Sequence, residues 1–214
     1  WLLNKSWITN LKFDASIYYN DNNSHAHTFY SYASEQPAVH ATEEGYFMAN
    51  KLPYTYFADQ IIDSKELDYA ASLKYEWNRR FKTVNSNLKA GVQWKATGNV
   101  GEGEYYKDPS LAPNGYRPRP YTTYPYMHNV SLYAEESLSF PVGNTMLRLM
   151  AGVRWEHLFI KGTKYKNLNT LSPRFNARWQ LNEHIAIRGG WGITEKLPSF
   201  YTLYPKQEYR DIQT

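Results

Sequence analysis

The segment 65–78, KELDYAASLKYEWN, alternates between apolar and polar residues with a period of two. Its odd positions from Leu67 to Trp77 are all apolar or aromatic, and its even positions are polar except for Ala70. Successive side chains of a β-strand point to opposite faces of the sheet, so this pattern predicts a long strand with one apolar and one polar face. A chain built from such segments is constrained to form a sheet whose two faces meet different environments.

The same alternation recurs along the chain and predicts eight strands in total. They cover residues 7–19, 24–33, 65–78, 87–97, 129–140, 145–156, 171–181 and 185–194. The alternation is weak in 24–33. In 129–140 the charged residue Glu136 falls on an apolar position, which predicts a β-bulge or a twist in register there. No segment keeps a helical period of about 3.6 residues over a convincing length. The predicted fold class is therefore all-β.

The predicted connections between strands differ in length in a regular way. Short links fall at 20–23, 78–85, 141–144 and 182–184, whereas long links fall at 34–64, 98–128 and 158–170. Short turns at one end of a sheet and long loops at the other end are typical of an antiparallel up-and-down sheet or barrel. The two ends of the predicted sheet therefore have different roles.

The composition excludes several classes of protein. Aromatic residues make up 17% of the chain, which is too many for a disordered protein. The absence of cysteine excludes disulfide scaffolds, cysteine zinc clusters and thiol catalysis. The net charge of +4 is scattered along the chain, so no nucleic-acid partner is predicted. No apolar run approaches the roughly 20 residues of a membrane-spanning helix.

The alternation alone leaves open whether the apolar face packs on a protein core or on lipid. Most predicted strands span 9–13 residues, which fits a tilted membrane strand of about 9–11 residues better than a soluble strand of about 5–6. Most tryptophans occupy apolar positions at or near strand ends, as in the aromatic girdles of membrane barrels. They are Trp7, Trp77, Trp94, Trp155, Trp179 and Trp191. These features favour a transmembrane barrel over the alternative, a soluble or small-barrel module that binds carbohydrate or another ligand.

Two stretches of the chain resemble a known family. One consists of LSPRFNARWQL (171–181) and, after a short turn, IRGGWGITEKLPSFYTLYP (187–205). The other consists of NVGEGEYYKDP (99–109), GYRPRPY (115–121) and SLYAEESLSFPVGNTMLRLMAGVRWE (131–156). Both are similar to the middle of the barrel in TonB-dependent outer-membrane receptors of the form common among Bacteroidetes. The resemblance covers most of residues 65–205.

The resemblance implies an antiparallel, up-and-down transmembrane β-barrel of about 22 strands that is filled by a plug domain. Residues 1–214 are then expected to supply about eight central strands, and the plug domain to lie outside them. The implied function is TonB-dependent uptake of a scarce nutrient across the Gram-negative outer membrane. The nutrient classes are a glycan, a siderophore, cobalamin or a peptide. The implied partners are outer-membrane lipid, the plug domain, TonB, a surface lipoprotein and the nutrient.

The predicted loop 98–128 contains the candidate ligand-binding residues. Its prolines restrict the backbone and lower the entropy cost of ordering a long loop, while tyrosine and arginine are enriched at recognition hot spots. The candidates are Tyr105, Tyr106, Tyr116, Arg117, Arg119, Tyr121 and Tyr124. In this hypothesis the rings stack on a sugar or chelate, and Arg117 and Arg119 bind anionic groups. The alternative is that the tyrosines pack on one another and stiffen the loop.

The predicted loop 34–64 carries a second group of aromatic residues. They are Tyr46, Phe47, Tyr54, Tyr56 and Phe57. Two roles are open for them, as a second wall of the ligand site or as the packing that orders the loop. Packing is the favoured interpretation.

Five arginines fall on the polar positions of consecutive predicted strands. They are Arg148, Arg154, Arg174, Arg178 and Arg188. In a barrel the polar positions face the lumen, so these residues form a predicted lumen-facing basic patch that docks the plug or attracts an anionic substrate. The alternative is a structural network of ion pairs with carboxylates such as Glu135 and Glu156.

Metal binding and catalysis have little support in the sequence. His25 and His27 share a strand face without a third ligand nearby, and Glu102, Glu104 and Asp108 lack the spacing of a calcium-binding loop. The sequence contains no nucleophile elbow and no phosphate-binding glycine loop. We therefore predict no metal site, no cofactor and no enzymatic activity.

Overall fold

A computed structural model describes residues 1–212 of the chain. Its strands are β1 (Leu2–Lys5), β2 (Ile8–Ser31), β3 (Pro37–Ala38), β4 (Asn50–Lys51), β5 (Thr55–Phe81), β6 (Val84–Asn99), β7 (Gly103–Tyr106), β8 (Met127–Val142), β9 (Thr145–Phe159), β10 (Leu168–Gln180) and β11 (Ala186–Gly192). One short helix, α1 (Phe200–Leu203), and two 3₁₀ turns, Pro109–Leu111 and Tyr121–Thr123, are the helical elements of this described part. The predicted all-β class is confirmed.

Most of the strands belong to one large sheet. Its order is β1-β2-β5-β6-β8-β9-β10-β11, and β7 pairs with β5 beside this path. Neighbouring strands of the path follow one another along the chain apart from small insertions, so the sheet is antiparallel and up-and-down, as predicted. β3 and β4 form a separate two-stranded sheet. Within residues 1–212, no helix is long and apolar enough to cross a bilayer.

The register between β8, β9 and β10 keeps residues on the faces that the alternation predicts. Leu132 lies opposite Trp155, which lies opposite Leu171, on the apolar face. The pairing of β8 with β9 passes without a shift through Glu136, which lies opposite Ala151. The predicted bulge at Glu136 is therefore wrong, and this carboxylate stays on the apolar face.

The predicted turn at 20–23 is also wrong. β2 continues through it and joins the predicted strands 7–19 and 24–33 into one. Asparagine and aspartate favour turns when only their local sequence is considered. In the sheet, the Asn20 side chain instead contacts a neighbouring strand, where its Nδ2 donates to Glu66 Oε2 at 3.5 Å.

β5 begins at Thr55, well before the predicted start at residue 65, so the predicted loop 34–64 is much shorter. Asp59 and Asp63 occupy odd positions in this early part of β5, where later odd positions are apolar. This loss of alternation concealed the strand. Pairing with β7 extends β5 regardless, because backbone hydrogen bonds do not require alternating side chains.

The chain divides into two compact units, and the first is named the strand unit. It consists of Trp1–Ile17, Asp68–Ala96 and Met127–Ser199. Large side chains on the apolar face of its sheet are exposed, for example Leu132 at 47% and Val153 at 43%. Contiguous exposed apolar surface of this kind marks a membrane or protein contact.

A row of aromatic rings crosses three strands of the strand unit. The ring centroids of Tyr69 in β5 and Trp94 in β6 are 6.5 Å apart, and those of Trp94 and His128 in β8 are 5.9 Å apart. Both contacts are stacked, with interplanar angles of 17° and 15°. Of the six tryptophans that predict an aromatic girdle, this row contains Trp94.

The second unit is named the loop unit. It consists of Tyr18–Leu67, Thr97–Tyr126 and the segment that begins at Phe200. Its buried core is made of Ala38, Leu52, Tyr56, Ala58, Tyr106 and Ala112. The long connections of the sheet are therefore folded around an interior of their own.

Candidate functional site

The core of the loop unit contains a cluster of tyrosines. The rings of Tyr30 and Tyr56 stack 5.2 Å apart, and Tyr106 meets Tyr116 edge to face at 4.6 Å. The hydroxyls of Tyr30 and Tyr106 lie 3.0 Å apart and share a hydrogen bond. Burial raises the pKa of Tyr116 to about 12. Tyr106 is thus a core residue, and Tyr116 is partly buried and packs against the core.

Tyr105 lies apart from this cluster although it is next to Tyr106 in the sequence. Both belong to β7, where adjacent side chains point to opposite faces. Tyr105 lies opposite Ile61 of β5, and its hydroxyl donates to Glu102 Oε2 at 2.8 Å. Tyr105 and Tyr106 therefore do not line one common site.

Arg117 is buried, with 7% of its surface exposed. Its Nε donates to the carbonyl of Ala41 at 2.5 Å and its Nη1 to the carbonyl of Tyr116 at 3.0 Å. Its Nη2 donates to Asp211 Oδ1 at 2.5 Å, and its guanidinium lies 5.1 Å from the ring centroid of Tyr209. The guanidinium joins three segments of the loop unit, and its charge is already paired.

Arg119 lies between two tyrosine rings. Its guanidinium is 5.7 Å from the centroid of Tyr121 and 5.6 Å from that of Tyr124. The backbones of Arg119 and Glu104 exchange two hydrogen bonds of 2.8 and 3.0 Å. Burial, together with the nearby charge of Glu104, raises the pKa of Tyr121 to about 12. Gly103 makes this approach possible, because a Cβ on its backbone, with φ at +106°, would overlap the carbonyl of Arg119.

A cavity of about 640 Å³ opens in the loop unit beside Arg117. Aromatic rings and carboxylates dominate its lining, namely Tyr46, Phe47, Tyr209, Glu43, Glu44 and Glu208. Tyr46 is 94% exposed and Phe47 is 50% exposed, so these rings remain available for contact. Of the seven candidate ligand-binding residues, Arg117 lines this cavity.

Most residues of this cavity were not predicted from the sequence. Residues 43–47 fall in a loop for which packing was the favoured role, and residues 208–212 carried no prediction. The string EEGYF at 43–47 combines carboxylates with adjacent rings and was the available signal. Residues 208–212 line the cavity through a tertiary contact, which the local sequence cannot predict.

Two of the five patch arginines are paired with carboxylates. Arg154 donates to Glu156 Oε1 at 2.9 Å and to Ser131 Oγ at 3.0 Å. Arg174 of β10 pairs with Glu135 of β8 across the intervening strand β9. Gly152, the β9 residue opposite both, leaves room for this contact. These two arginines match the alternative interpretation, a structural network of ion pairs.

The other three patch arginines form a row on adjacent strands. Arg148 of β9 lies opposite Arg178 of β10, and Arg178 lies opposite Arg188 of β11. Directly opposite residues share a face of the sheet. The predicted basic patch is therefore two ion-paired arginines and one uninterrupted row of like charges.

The residues considered for metal binding have other partners. His25 Nε2 and His27 Nδ1 lie 2.8 and 2.7 Å from the same Oδ1 of Asp59. Asp108 Oδ1 accepts the backbone N–H of Ser110 at 3.0 Å, which caps a 3₁₀ turn. Among the residues that the structure describes, no group of three or more His, Cys, Asp or Glu is arranged to hold a metal ion.

Comparison with known proteins identifies one relationship. A family model described as "TonB dependent receptor-like, beta-barrel" matches residues 1–211. No curated protein and no solved structure matches the chain. The family match covers nearly the whole chain and extends well beyond the residues that carry the resemblance noted in the sequence.

Proposed function

Because the chain belongs to the TonB-dependent receptor-like β-barrel family, we propose that it forms part of an outer-membrane receptor whose loop unit binds a scarce nutrient for active uptake. Receptors of this family are outer-membrane barrels that transport and are not known as enzymes. The receptor is of the Bacteroidetes form and has no catalytic activity in this proposal.

The observation that carries the proposal is the cavity beside Arg117. Two of its walls, the segments that contain Ala41 and Asp211, are joined by Arg117 before a ligand arrives. Preorganised walls reduce the entropy lost on binding. Arg117 joins these walls as a positioning residue, since its donors are occupied by Ala41, Tyr116 and Asp211.

Four carboxylates line the cavity against two arginines, Arg117 and Arg210, so the lining favours a hydroxyl-rich or cationic ligand over an anionic one. Tyr46, Phe47 and Tyr209 offer ring faces that stack on the apolar side of a sugar or a chelate. Glu43 and Glu208 offer acceptors for hydroxyl or ammonium groups. Of the four nutrient classes, a glycan fits this combination best.

The test measures uptake by cells that carry the complete receptor. Cells are offered a labelled oligosaccharide, a ferric siderophore, cobalamin and a peptide. We expect Tyr46→Ala and Tyr209→Ala to weaken uptake of the oligosaccharide by about fivefold each, since one lost stacking contact is equivalent to roughly 1 kcal/mol. Tyr165→Ala removes an exposed ring from another connection and serves as the matched control.

Unchanged uptake of every probe in Tyr46→Ala and Tyr209→Ala would exclude this cavity as the nutrient site. Equal losses in Tyr165→Ala would show a general effect on surface expression. Loss confined to the siderophore, cobalamin or peptide would keep the site and replace the glycan. The plug domain, TonB and a surface lipoprotein remain the proposed partners of the complete receptor.

A further inference from the structure

Three like charges lie side by side on adjacent strands in the row of Arg148, Arg178 and Arg188. Side chains at such positions have Cβ atoms about 4.5–5.5 Å apart, and like charges there destabilise a sheet. Arg178 is the central member and has an arginine on each side. The row lies close to the short turns, since Arg178 is two residues before the end of β10 and Arg188 two residues after the start of β11.

No carboxylate of the described chain compensates for this row. Arg148 Nε donates to Ser139 Oγ at 3.2 Å, and Arg178 Nη2 donates to Gln180 Oε1 at 2.7 Å. These neutral acceptors orient the guanidinium groups but leave their charge in place. The contrast with Arg174 is direct, because Arg174 is on the same strand and face as Arg178 and is paired with Glu135.

The sheet also leaves space above the row. A shallow cavity of about 590 Å³ is lined by the three arginines together with Ser137 and Asn176. Gly190 of β11 lies on the same face as Arg188, and it places no side chain beside the row. The three guanidinium groups are exposed within this depression and can be approached by a second surface.

We propose that the arginine row binds an acidic peptide segment of the plug domain. The row runs across the strands with a spacing of about 5 Å. Carboxylates three or four residues apart on a helix have a similar separation of about 5–6 Å. Three exposed arginines bind a small free anion only weakly, because water screens them, whereas a peptide surface that covers the row excludes that water. The family implies a plug domain, and the polar face of an outer-membrane barrel lines its interior, so the plug domain is the partner that can supply such a surface.

Hydrogen exchange of the complete receptor in detergent tests this proposal. We compare the wild type with Arg178→Gln and with the matched control Arg174→Gln on the same strand and face. Arg178→Gln is expected to accelerate exchange in one plug peptide that contains at least two carboxylates by about tenfold, the effect of losing a charge-assisted hydrogen bond. Raising the salt concentration should accelerate the same peptide in the wild type. Arg174→Gln should leave it unchanged.

Three outcomes would overturn the proposal: no plug peptide responds to Arg178→Gln, the responding peptide lacks carboxylates, or Arg174→Gln produces the same response. A photo-crosslinking residue at Ser137 provides a second measurement that leaves the arginines intact. An adduct with an acidic plug peptide supports the proposal, whereas adducts with lipid or none contradict it. Neither experiment depends on a nutrient, so failure here is distinct from failure of the proposed uptake function.

Discussion

Tyr116 and Tyr121 make the loop unit sensitive to alkaline pH. Burial is the main reason why the pKa of each is raised from 10.0 to about 12. The folded state therefore holds these protons more tightly than the unfolded chain does. The stability that comes from this difference is fully present below pH 10 and is lost as the pH rises toward 12.

An alkaline titration of the complete receptor, followed by tyrosinate absorbance, measures this effect. We expect a late group of tyrosines that ionise only as the loop unit opens. Tyr121→Phe should reduce the amplitude of the late phase, whereas Tyr46→Phe, which changes a ring that is 94% exposed, should leave it intact. If Tyr121→Phe changes only the early phase, then Tyr121 is not protected in the folded receptor.

Arg117 shows what the sequence could not predict at the scale of one residue. Its residue type and its place in a tyrosine-rich loop favoured the prediction that Arg117 is accessible and binds an anionic group of a ligand. The structure buries it because Asp211, 94 residues away in the sequence, and the carbonyl of Ala41 meet at its guanidinium. Partners at such separations arise from the tertiary fold, so the local sequence pattern could not predict these contacts of Arg117.

At the scale of strands, Arg79 and Glu136 form an ion pair on the apolar face of the strand unit. Arg79 of β5 donates to Glu136 Oε2 of β8 at 3.3 Å and to Ser86 Oγ of β6 at 3.2 Å. The guanidinium of Arg79 also covers the Trp77 ring at 4.0 Å. A charged group on the lipid face of a barrel is costly unless it is paired, so this contact explains how Glu136 is retained there.

A double-mutant cycle on this pair tests that explanation. Glu136→Leu alone leaves the charge of Arg79 without a partner and should reduce the free energy of unfolding by about 1–3 kcal/mol. The double variant Arg79→Leu, Glu136→Leu should lose less than the single one, because no unpaired charge remains. Unfolding of the complete receptor by urea in detergent measures the free energy of unfolding of both variants.

Arg174 and Glu135 provide the control cycle. They pair on the polar face between β10 and β8, the strand that also carries Glu136, and the Arg174 side chain is 59% exposed. Their coupling is expected to be about 0–1 kcal/mol. Equal coupling energies for the two pairs, or a double variant of Arg79 and Glu136 that is less stable than Glu136→Leu, would contradict a special cost on the apolar face.

Strand order and strand faces were predictable because alternation is a local property. The phase of 65–78 and the apolar face shared by Leu132, Trp155 and Leu171 follow directly from it. Strand ends were less predictable. Where strands extend into the loop unit, as at 20–23, both faces become polar, and the strand continues without the alternation that would predict it.

At the scale of the whole molecule, the sheet has an exposed apolar face, and the chain belongs to a family of outer-membrane barrels. Water disfavours such a face, whereas lipid covers it without a second protein layer. The soluble binding module that the alternation left open would need that layer as its core. The effect of a charge placed on the apolar face distinguishes the two environments.

Val153 is the position at which this difference is sharpest. It lies in the middle of β9, opposite Ala134 of β8, and is 43% exposed on the apolar face. If lipid covers this face, Val153→Arg should cost up to about 2–4 kcal/mol and reduce the amount of receptor assembled in the outer membrane. The heat-modifiable band of the complete receptor in outer-membrane fractions measures assembly.

Val153→Met is the matched control, because it changes the shape of the side chain and keeps it apolar. We expect it to assemble as the wild type does. If the face met water, arginine at a partly exposed position would change stability by no more than about 0.5 kcal/mol, and the two variants would behave alike. Equal assembly of Val153→Arg and Val153→Met would therefore show that lipid does not cover this face, whereas loss confined to Val153→Arg would show that it does.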